Sequence, residues 1–546
     1  MGAARRVGVR CIRGLKGAGH GDPLGVPKPT QTTDSAVAHD EQLVADVIDK
    51  ATPLINAFLA TQPEERRQRL DGLQEIVDNV LRLLEPLLFG VLFAWLSVRA
   101  DAVAGTCRIC SRRCTRERKT IKVRTKRLQV PVPVTRYRCR ACGTNRAPMR
   151  EWLGATAGMT TSGFDRAATA LATEMSFGRA AHQLEEQHGH AVDRTLVERR
   201  TYAIGEEAIE FLAERRTRRR SEVMDAVGHR PGVDRVLLQV DGGGVPVGTL
   251  TRPSRADATE LTPVRGLPKG RRPKTKREVR VAMAWQDGVV EARAVDLHIA
   301  PHNQTEVSGA RLYHVALEAG AGDDTHVHLT CDMAPWHRNQ FEEQFSAQQN
   351  RSLCADFYHT LEYIAAAGRA VEHADEASSR RWLATQARRL KSGERAAIID
   401  EWKGHSCGGG TCPTNDHGEC AVRAARRYLR RFGEYMNYPH FIDEGLTIGS
   451  GAVEGRIRHL VRRRLDVPGD WKEDNLHPML ALISVRESGL WDEFWQWRDD
   501  RDRQRFRGRL QGIGLNRFRG NLTPARPDGT ATERIDLDDL SPCFAT

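Results

Sequence analysis

Residues 236–244 read Val-Leu-Leu-Gln-Val-Asp-Gly-Gly-Gly. A short aliphatic run that stops at an acid and three glycines predicts a buried β-strand closed by Asp241. The glycines, lacking Cβ atoms, would permit close approach of a phosphate backbone to that carboxylate. Working outward, residues 278–285 and 290–299 predict two further strands, and 304–319 a helix. Residues 326–331 then predict a fourth strand, 336–349 a helix and 351–357 a fifth strand. Three strands followed by alternating helix and strand predict a mixed α/β sheet with helices on both faces. A helical stretch over about 360–440 separates this sheet from the segment at Gly449 onward, and no internal repeat is visible.

Two more acids end elements in the same way. Asp332 closes the fourth strand in residues 329–336, Leu-Thr-Cys-Asp-Met-Ala-Pro-Trp. Glu454 lies near the start of a helix in residues 448–454, Ile-Gly-Ser-Gly-Ala-Val-Glu. That helix would put Val453, Ile457 and Leu460 on one face against the sheet, with Glu454 and Arg458 beside the stripe and facing a cleft. Cleavage of a phosphodiester is an in-line displacement at phosphorus, helped by two Mg²⁺ ions ~3.5–4 Å apart that activate the attacking oxygen and stabilise the leaving one. Mg²⁺ takes hard oxygen ligands and keeps several waters, so a few carboxylates suffice. A single Asp after a strand is more often a turn or cap residue. The expectation of a shared metal site rests on three acids in this element order.

The twelve cysteines include two CxxC pairs, Cys107/Cys110 and Cys139/Cys142. Paired knuckles supply four thiolates on two tight turns, the donor set of one tetrahedral Zn²⁺, and the strand-like residues 130–138 between them suggest a zinc ribbon. Cys114 is a candidate substitute ligand, because the connecting segment is long. Cys407, Cys412 and Cys420, with His405 and His417, form a second group whose spacing matches no defined site.

The net charge of +12 is concentrated. Residues 105–150 hold fifteen Lys and Arg against Glu117, so this segment alone carries +14 and the rest of the chain sums to −2. A second basic run, residues 265–280, holds eight Lys and Arg against Glu278. Concentrated positive charge is the footprint of a polyanion partner. Within the second run Lys269, Arg271, Arg272, Lys274, Lys276 and Arg277 are read as a loop that tracks phosphates. With 40% apolar and 28% charged residues the composition is that of a soluble globular protein. Neither a membrane-length apolar run nor a signal-peptide core is present, which points to the cytoplasm and no membrane partner.

The organisation expected is a disordered 1–38, a helical domain over 39–103 and a DNA-binding zinc ribbon over 104–150. A helical region over 151–230 contains a helix-turn-helix-like pair, residues 176–184 and a second helix capped by Asp193. The catalytic core runs over 231–359, a helical insertion over 360–444 and the third-acid helix over 445–500, before a basic then acidic tail over 501–546. Pro86 is expected to break or kink the first helical domain.

Residues 435–438 (Tyr-Met-Asn-Tyr), 445–455 (Gly-Leu-Thr-Ile-Gly-Ser-Gly-Ala-Val-Glu-Gly) and 461–465 (Val-Arg-Arg-Arg-Leu) resemble the third-acid block of bacterial ISKra-type insertion-sequence transposases, members of the DDE group. Residues 332–336 resemble that family's second-acid block and 241–247 its first. Residues 356–359, Asp-Phe-Tyr-His, resemble its block after the fifth strand. The sequence departs from the family at Asp466 and Pro468, where a basic residue and Gly or Ser are more usual. The resemblance spans about residues 100–500. It implies a ribonuclease H-like mixed-sheet core interrupted by a helical insertion, with strand cleavage and transfer at transposon ends. On this reading Asp241, Asp332 and Glu454 hold Mg²⁺ or Mn²⁺, His359 stands near them, and Arg458 contacts phosphate. The partners are transposon-end and target DNA, with the protein acting as a homo-oligomer in the bacterial cytoplasm, at the nucleoid when bound. A ribonuclease H-like nuclease without strand transfer and a non-catalytic DNA-binding derivative of a transposase remain open.

Overall fold

The computed structural model describes residues 34–102, 106–107, 109–148, 159–188, 191–226, 228–248, 275–289, 293–300, 304–369, 375–405, 414, 418–466 and 471–512. The chain divides into two compact units, residues 1–103 with 510–546, and residues 104–509. In the first, α1 (Asp34–Ala60), α2 (Glu64–Arg67) and α3 (Leu70–Ala102) are helical, and α1 packs on α3. Residues 34–38, expected to be disordered, already belong to α1. Nor does Pro86 end a helix, because α3, 33 residues in all, runs on through it to Ala102. No helix among the described residues is long and apolar enough to cross a membrane.

The second unit opens with a three-stranded antiparallel sheet, β1 (Thr115–Arg124), β2 (Gln129–Arg138) and β3 (Asn145–Arg146). On β2, Val130, Val132 and Val134 alternate inward and are buried, the period-2 pattern of a half-buried strand. Three helices follow: α4 (Ser162–Glu174), α5 (Phe177–His188) and α6 (Arg194–Asp225). Asp193 caps α6 as its position suggests, its Oδ1 accepting from Thr195 N at 2.7 Å. The second helix of the pair is far longer than a short recognition helix. Leu196, Val197, Thr201 and Ile204 bury one face of it in the protein interior.

The main sheet has five strands in the order β6-β5-β4-β7-β8: β4 (Arg235–Val247), β5 (Thr275–Gln286), β6 (Arg293–Ile299), β7 (His326–Cys331) and β8 (Arg351–Ala355). β4 and β5, and β5 and β6, pair antiparallel, while β7 lies parallel to β4 and β8 parallel to β7. This is the mixed sheet expected, with α7 (Thr305–Glu318) and α8 (Pro335–Gln344) connecting its strands. It is buried on both sides. One core joins Leu238, Leu329 and Leu353 to Leu312, Phe341 and Phe357, and the other joins Val279, Val281 and Leu297 to Val453, Leu460 and Met479.

Sequence and structure differ at several strand ends. β4 does not stop at Asp241 but continues through Gly242, Gly243 and Gly244 to Val247, because β5 supplies a pairing partner at each position down to Val247↔Thr275. Lys276 and Arg277, read as loop residues, accordingly lie in β5. β8 ends at Ala355, where Asp356 caps the next helix.

The stretch expected to be helical is a set of short helices: α9 (Phe357–Gly368), α10 (Glu376–Lys391), α11 (Arg395–Glu401), α12 (Ala421–Arg431) and α13 (Tyr438–Asp443). α14 (Gly451–Arg456) passes directly into a π-helical turn, Ile457–Arg462. α15 (Glu473–Glu487) and α16 (Trp491–Gly512) complete the chain as described. Lys269, Arg271, Arg272, Lys274, Cys407, Cys412, His417 and Pro468 lie outside the described residues, as do 1–33 and the tail from 513.

Candidate active site and metal centre

Parallel β4 and β7 share a ladder from Arg235↔His326 to Gln239↔Thr330. Past that point β7 ends, while β4 continues on β5 alone. Asp241 lies on the side of this opening, and Asp332 leaves the end of β7. Both line a cleft of about 390 Å³, together with Lys276, Glu278, Trp336 and His337.

The turn carrying Asp332 is tightly specified. Met333 is buried with φ +66°, a left-handed conformation that costs a non-glycine residue about 1–3 kcal/mol and tends to persist at functional sites. Asp332 Oδ1 accepts from Ala334 N at 2.9 Å, and His337 Nδ1 stands 2.7 Å from the same oxygen. Burial by itself would raise the Asp332 carboxyl, but His337, the Ala334 N–H and His359 override it and hold it down at about 2. Asp241 shows the opposite balance. Burial, with the Asp332 and Glu454 charges, pushes it up to about 6 despite the Gly242 N–H and His337. Two carboxylates in one partly desolvated cleft thus carry unlike affinities for a proton.

Glu454 is tied to the same sheet by a buried polar side chain. Gln239, on β4 two residues before Asp241, donates from Nε2 to Gly449 O at 2.8 Å and accepts at Oε1 from Val453 N at 2.9 Å. The second bond satisfies one of the N-terminal amides that a helix leaves without an internal partner. Asp356 Oδ2 accepts from Ser450 N, and its Oδ1 from His359 N at 2.5 Å. His328 Nε2 and Thr330 Oγ1 reach Thr447 O at 2.7 and 2.9 Å. The strands bearing the first two acids therefore both grip the segment bearing the third. Val453, Ile457 and Leu460 are buried, as their spacing predicts. Gly243 is needed for their packing: a Cβ there would stand 3.1 Å from Val461 Cγ1 and 3.2 Å from Ile457 Cγ2. What approaches this glycine is the third-acid helix.

The Glu454 carboxylate is exposed and accepts from Ser450 Oγ at 2.7 Å. It acts electrostatically on Asp241, but the three acids do not draw their oxygens into a tight cage. Arg458 is exposed in the π-helical turn, an irregularity frequent at functional sites. His359 lies within electrostatic reach of Asp332; its Nδ1 is 3.3 Å from Glu362 and its ring packs on Tyr363 and Tyr428. Lys276 faces the cleft, whereas Arg277 Nε donates to Glu473 Oε2 at 3.0 Å.

Behind the cleft runs a buried chain of polar groups. Asp296 Oδ1 is 2.9 Å from His298 Nδ1, and His298 Nε2 is 2.7 Å from Ser308 Oγ. The connectivity is that of a nucleophile, base and acid, but all three residues are buried, and Ser308 Oγ also accepts from Arg280 Nη1 at 2.8 Å. The chain has a structural role. Arg280 stacks on Trp336 at 4.0 Å and donates to Glu278 at 3.2 Å, bracing two walls of the cleft.

At the other site the four cysteines converge. The sulfurs of Cys107, Cys110, Cys139 and Cys142 all lie within 4.8 Å of one another, with separations of 3.5 Å (Cys107–Cys142), 3.4 Å (Cys110–Cys139) and 3.8 Å (Cys110–Cys142). A tetrahedron with metal–sulfur distances of ~2.3 Å has edges of about 3.8 Å, whereas a disulfide needs ~2.05 Å. The two knuckles are built alike. Cys107 O accepts from Ser111 N and Cys139 O from Gly143 N, while Cys107 N donates to Arg112 O and Cys139 N to Thr144 O. The fifth residue of each turn is left-handed, Ser111 at φ +54° and Gly143 at φ +74°. Cys114 is outside the quartet. The cluster can hold a metal such as zinc.

Comparison with protein-family models gives no match, and no curated protein is significantly similar. Sequence reading missed His337, Gln239 and the Arg280–Trp336 brace. His337 had a signal, since it follows Asp332 within the first turn of a predicted helix. Gln239 had none, because a lone glutamine in an apolar strand gives no hint of its partner 210 residues on.

Proposed function

We propose that this chain is a DNA transposase that cleaves and joins strands at the ends of a bacterial insertion sequence, using a ribonuclease H-like core. The observation carrying this reading is the convergence of Asp241 and Asp332 on one cleft where β4 and β7 part, with Glu454 anchored to β4 through Gln239. The reading needs an acid on the first strand, one closing the fourth and one near a helix start, and these three stand so. Two carboxylates in a partly buried cleft repel each other, and a divalent cation relieves that repulsion. Asp241, Asp332 and Glu454 would hold Mg²⁺ or Mn²⁺, which supplies charge neutralisation at the reacting phosphate.

The protein's own groups divide the remaining work. His337, with Nδ1 2.7 Å from Asp332 Oδ1, positions that carboxylate, Lys276 offers positive charge to a phosphate entering the cleft, and Trp336 walls it. Zn²⁺ at the four cysteines would hold the ribbon together, and its basic strand β1 would contact DNA without reading bases. The test is an in vitro reaction with candidate end sequences. Asp241→Asn, Asp332→Asn and Glu454→Gln should each abolish cleavage and joining while leaving folding and end binding intact. Full activity in any one would overturn the assignment, and cleavage without joined products in the parent protein would identify a nuclease instead.

A further inference from the structure

Helix α12 carries Arg423, Arg426, Arg427, Arg430 and Arg431 on one side, and these five line a depression of about 520 Å³. The opposite side, Ala421, Val422, Ala424, Ala425, Tyr428 and Leu429, is buried in the core. Arginines three and four positions apart repel one another on a helix, so the row is a cost to the isolated fold. Among the described residues one acid, Glu419, answers it, through Arg427. Arg426 Nε is shut off from solvent and makes no hydrogen bond. Arg423, Arg426, Arg430 and Arg431 therefore meet no acid among the described residues, and their charge is left for something outside them.

Its location says what that is. Tyr428, on the buried side of α12, donates from its hydroxyl to Asp332 O at 3.3 Å, and its ring stacks on Tyr363 at 4.2 Å. Tyr363 feels both Asp332 and Arg427. One aromatic layer thus separates the arginine row from the turn bearing the second acid. From Arg423 to Arg431 the helix advances about 12 Å, the axial length of roughly three to four phosphates of one strand of duplex DNA. Guanidinium forks are suited to bidentate phosphate contact.

We propose that the arginine face of α12 is a phosphate-backbone contact surface for duplex DNA, holding the stretch that continues from the acid cleft. The proposal rests on the catalytic reading only for the identity of that cleft. It supplies affinity and placement without base recognition, and it lies outside both basic clusters evident in the sequence.

The test uses the full-length protein and a random-sequence 30-bp duplex in buffer without added Mg²⁺ or Mn²⁺ and without chelator, so that binding is read without catalysis and the ribbon is left intact. The comparison is Arg423→Gln, Arg426→Gln, Arg430→Gln together, sparing Arg427 and its partner Glu419. Removing mutually repelling charges should leave the thermal unfolding midpoint unchanged or raised. Affinity should fall at least tenfold for unrelated sequences alike, and the slope of log K against log salt should flatten by about 2 to 3, since each phosphate contact contributes about 0.9. Unchanged affinity and slope in a folded triple variant would overturn the proposal. So would displacement of DNA by millimolar inorganic phosphate, at constant ionic strength, from the parent protein and not from the variant, the mark of a small-anion site. If the parent protein binds DNA through these arginines yet neither cleaves nor joins it, this surface stands and the catalytic reading falls.

Discussion

Replacing Gln239 with leucine keeps the size of the side chain and removes two hydrogen bonds. Gln239 is buried at 1% exposure, between β4 and the start of α14. After the change, Val453 N–H and Gly449 C=O lose their partners, previously at 2.9 and 2.8 Å. A buried group left unsatisfied costs about 1–3 kcal/mol. Val453 is fully buried and sits toward the upper end, while half-buried Gly449 can recruit water and sits toward the lower. The sum is about 2–4 kcal/mol, which a urea titration followed by tryptophan fluorescence resolves. Hydrogen exchange should localise it, with faster exchange in peptides covering 446–456 and unchanged exchange in those covering β8. Cleavage per folded molecule should also fall at least tenfold, since Glu454 loses its tie to the strand bearing Asp241. A variant within about 0.5 kcal/mol of the parent, the ordinary range for a surface substitution, and with normal protection at 446–456 would refute the proposed coupling.

Purified parent protein should carry one zinc per chain by metal analysis, and Cys107→Ser with Cys139→Ser should carry none; a retained equivalent would assign the metal elsewhere. Asp296 is faced by Arg311 at 2.9 Å, His298 at 2.9 Å and Arg216 at 3.7 Å. Burial pushes its carboxyl up, but Arg311, the hydrogen bond from His298 and Arg216 hold it well below the usual range. Its folded pKa lies under the unfolded value of about 3.9, so the stabilisation is complete above that value and disappears as pH falls through the folded one. Asp296→Asn should cost about 3–5 kcal/mol at neutral pH and flatten the acid limb of the stability curve, as measured by urea midpoints between about pH 6 and 3; a curve parallel to the parent's would contradict this. Gly243→Ala should destabilise by about 1–3 kcal/mol through overpacking against Val461 and Ile457, and an unchanged unfolding midpoint would show that the third-acid helix moves aside freely.

Local patterning made much of this protein legible in its sequence. The order of the five main strands follows from aliphatic runs bounded by turn residues, since strand formation is announced by near neighbours. The CxxC pairs gave the sulfur cluster, because each knuckle is a turn closed within six residues. The buried stripe Val453, Ile457, Leu460 followed from helical spacing.

Tertiary structure decided what depends on partners distant in the chain. β4 runs on through three glycines because β5 lies beside it, and no residue of β4 announces that partner. Cys114 stands beside the four mutually close sulfurs without joining them, which its spacing does not announce. Lys276 and Arg277 became strand residues for the same pairing reason, and Arg277 met Glu473 across 196 residues. Unlike pKa values for Asp241 and Asp332 arise from burial and from His337, neither of which a carboxylate's own neighbours determine. The arginine row of α12 can be counted in the sequence. That among the described residues only Arg427 of the row meets an acid, and that Tyr428 on its far side touches the Asp332 turn, are facts of packing. Electrostatics and hydrogen bonding act through space, and only the folded chain specifies those distances.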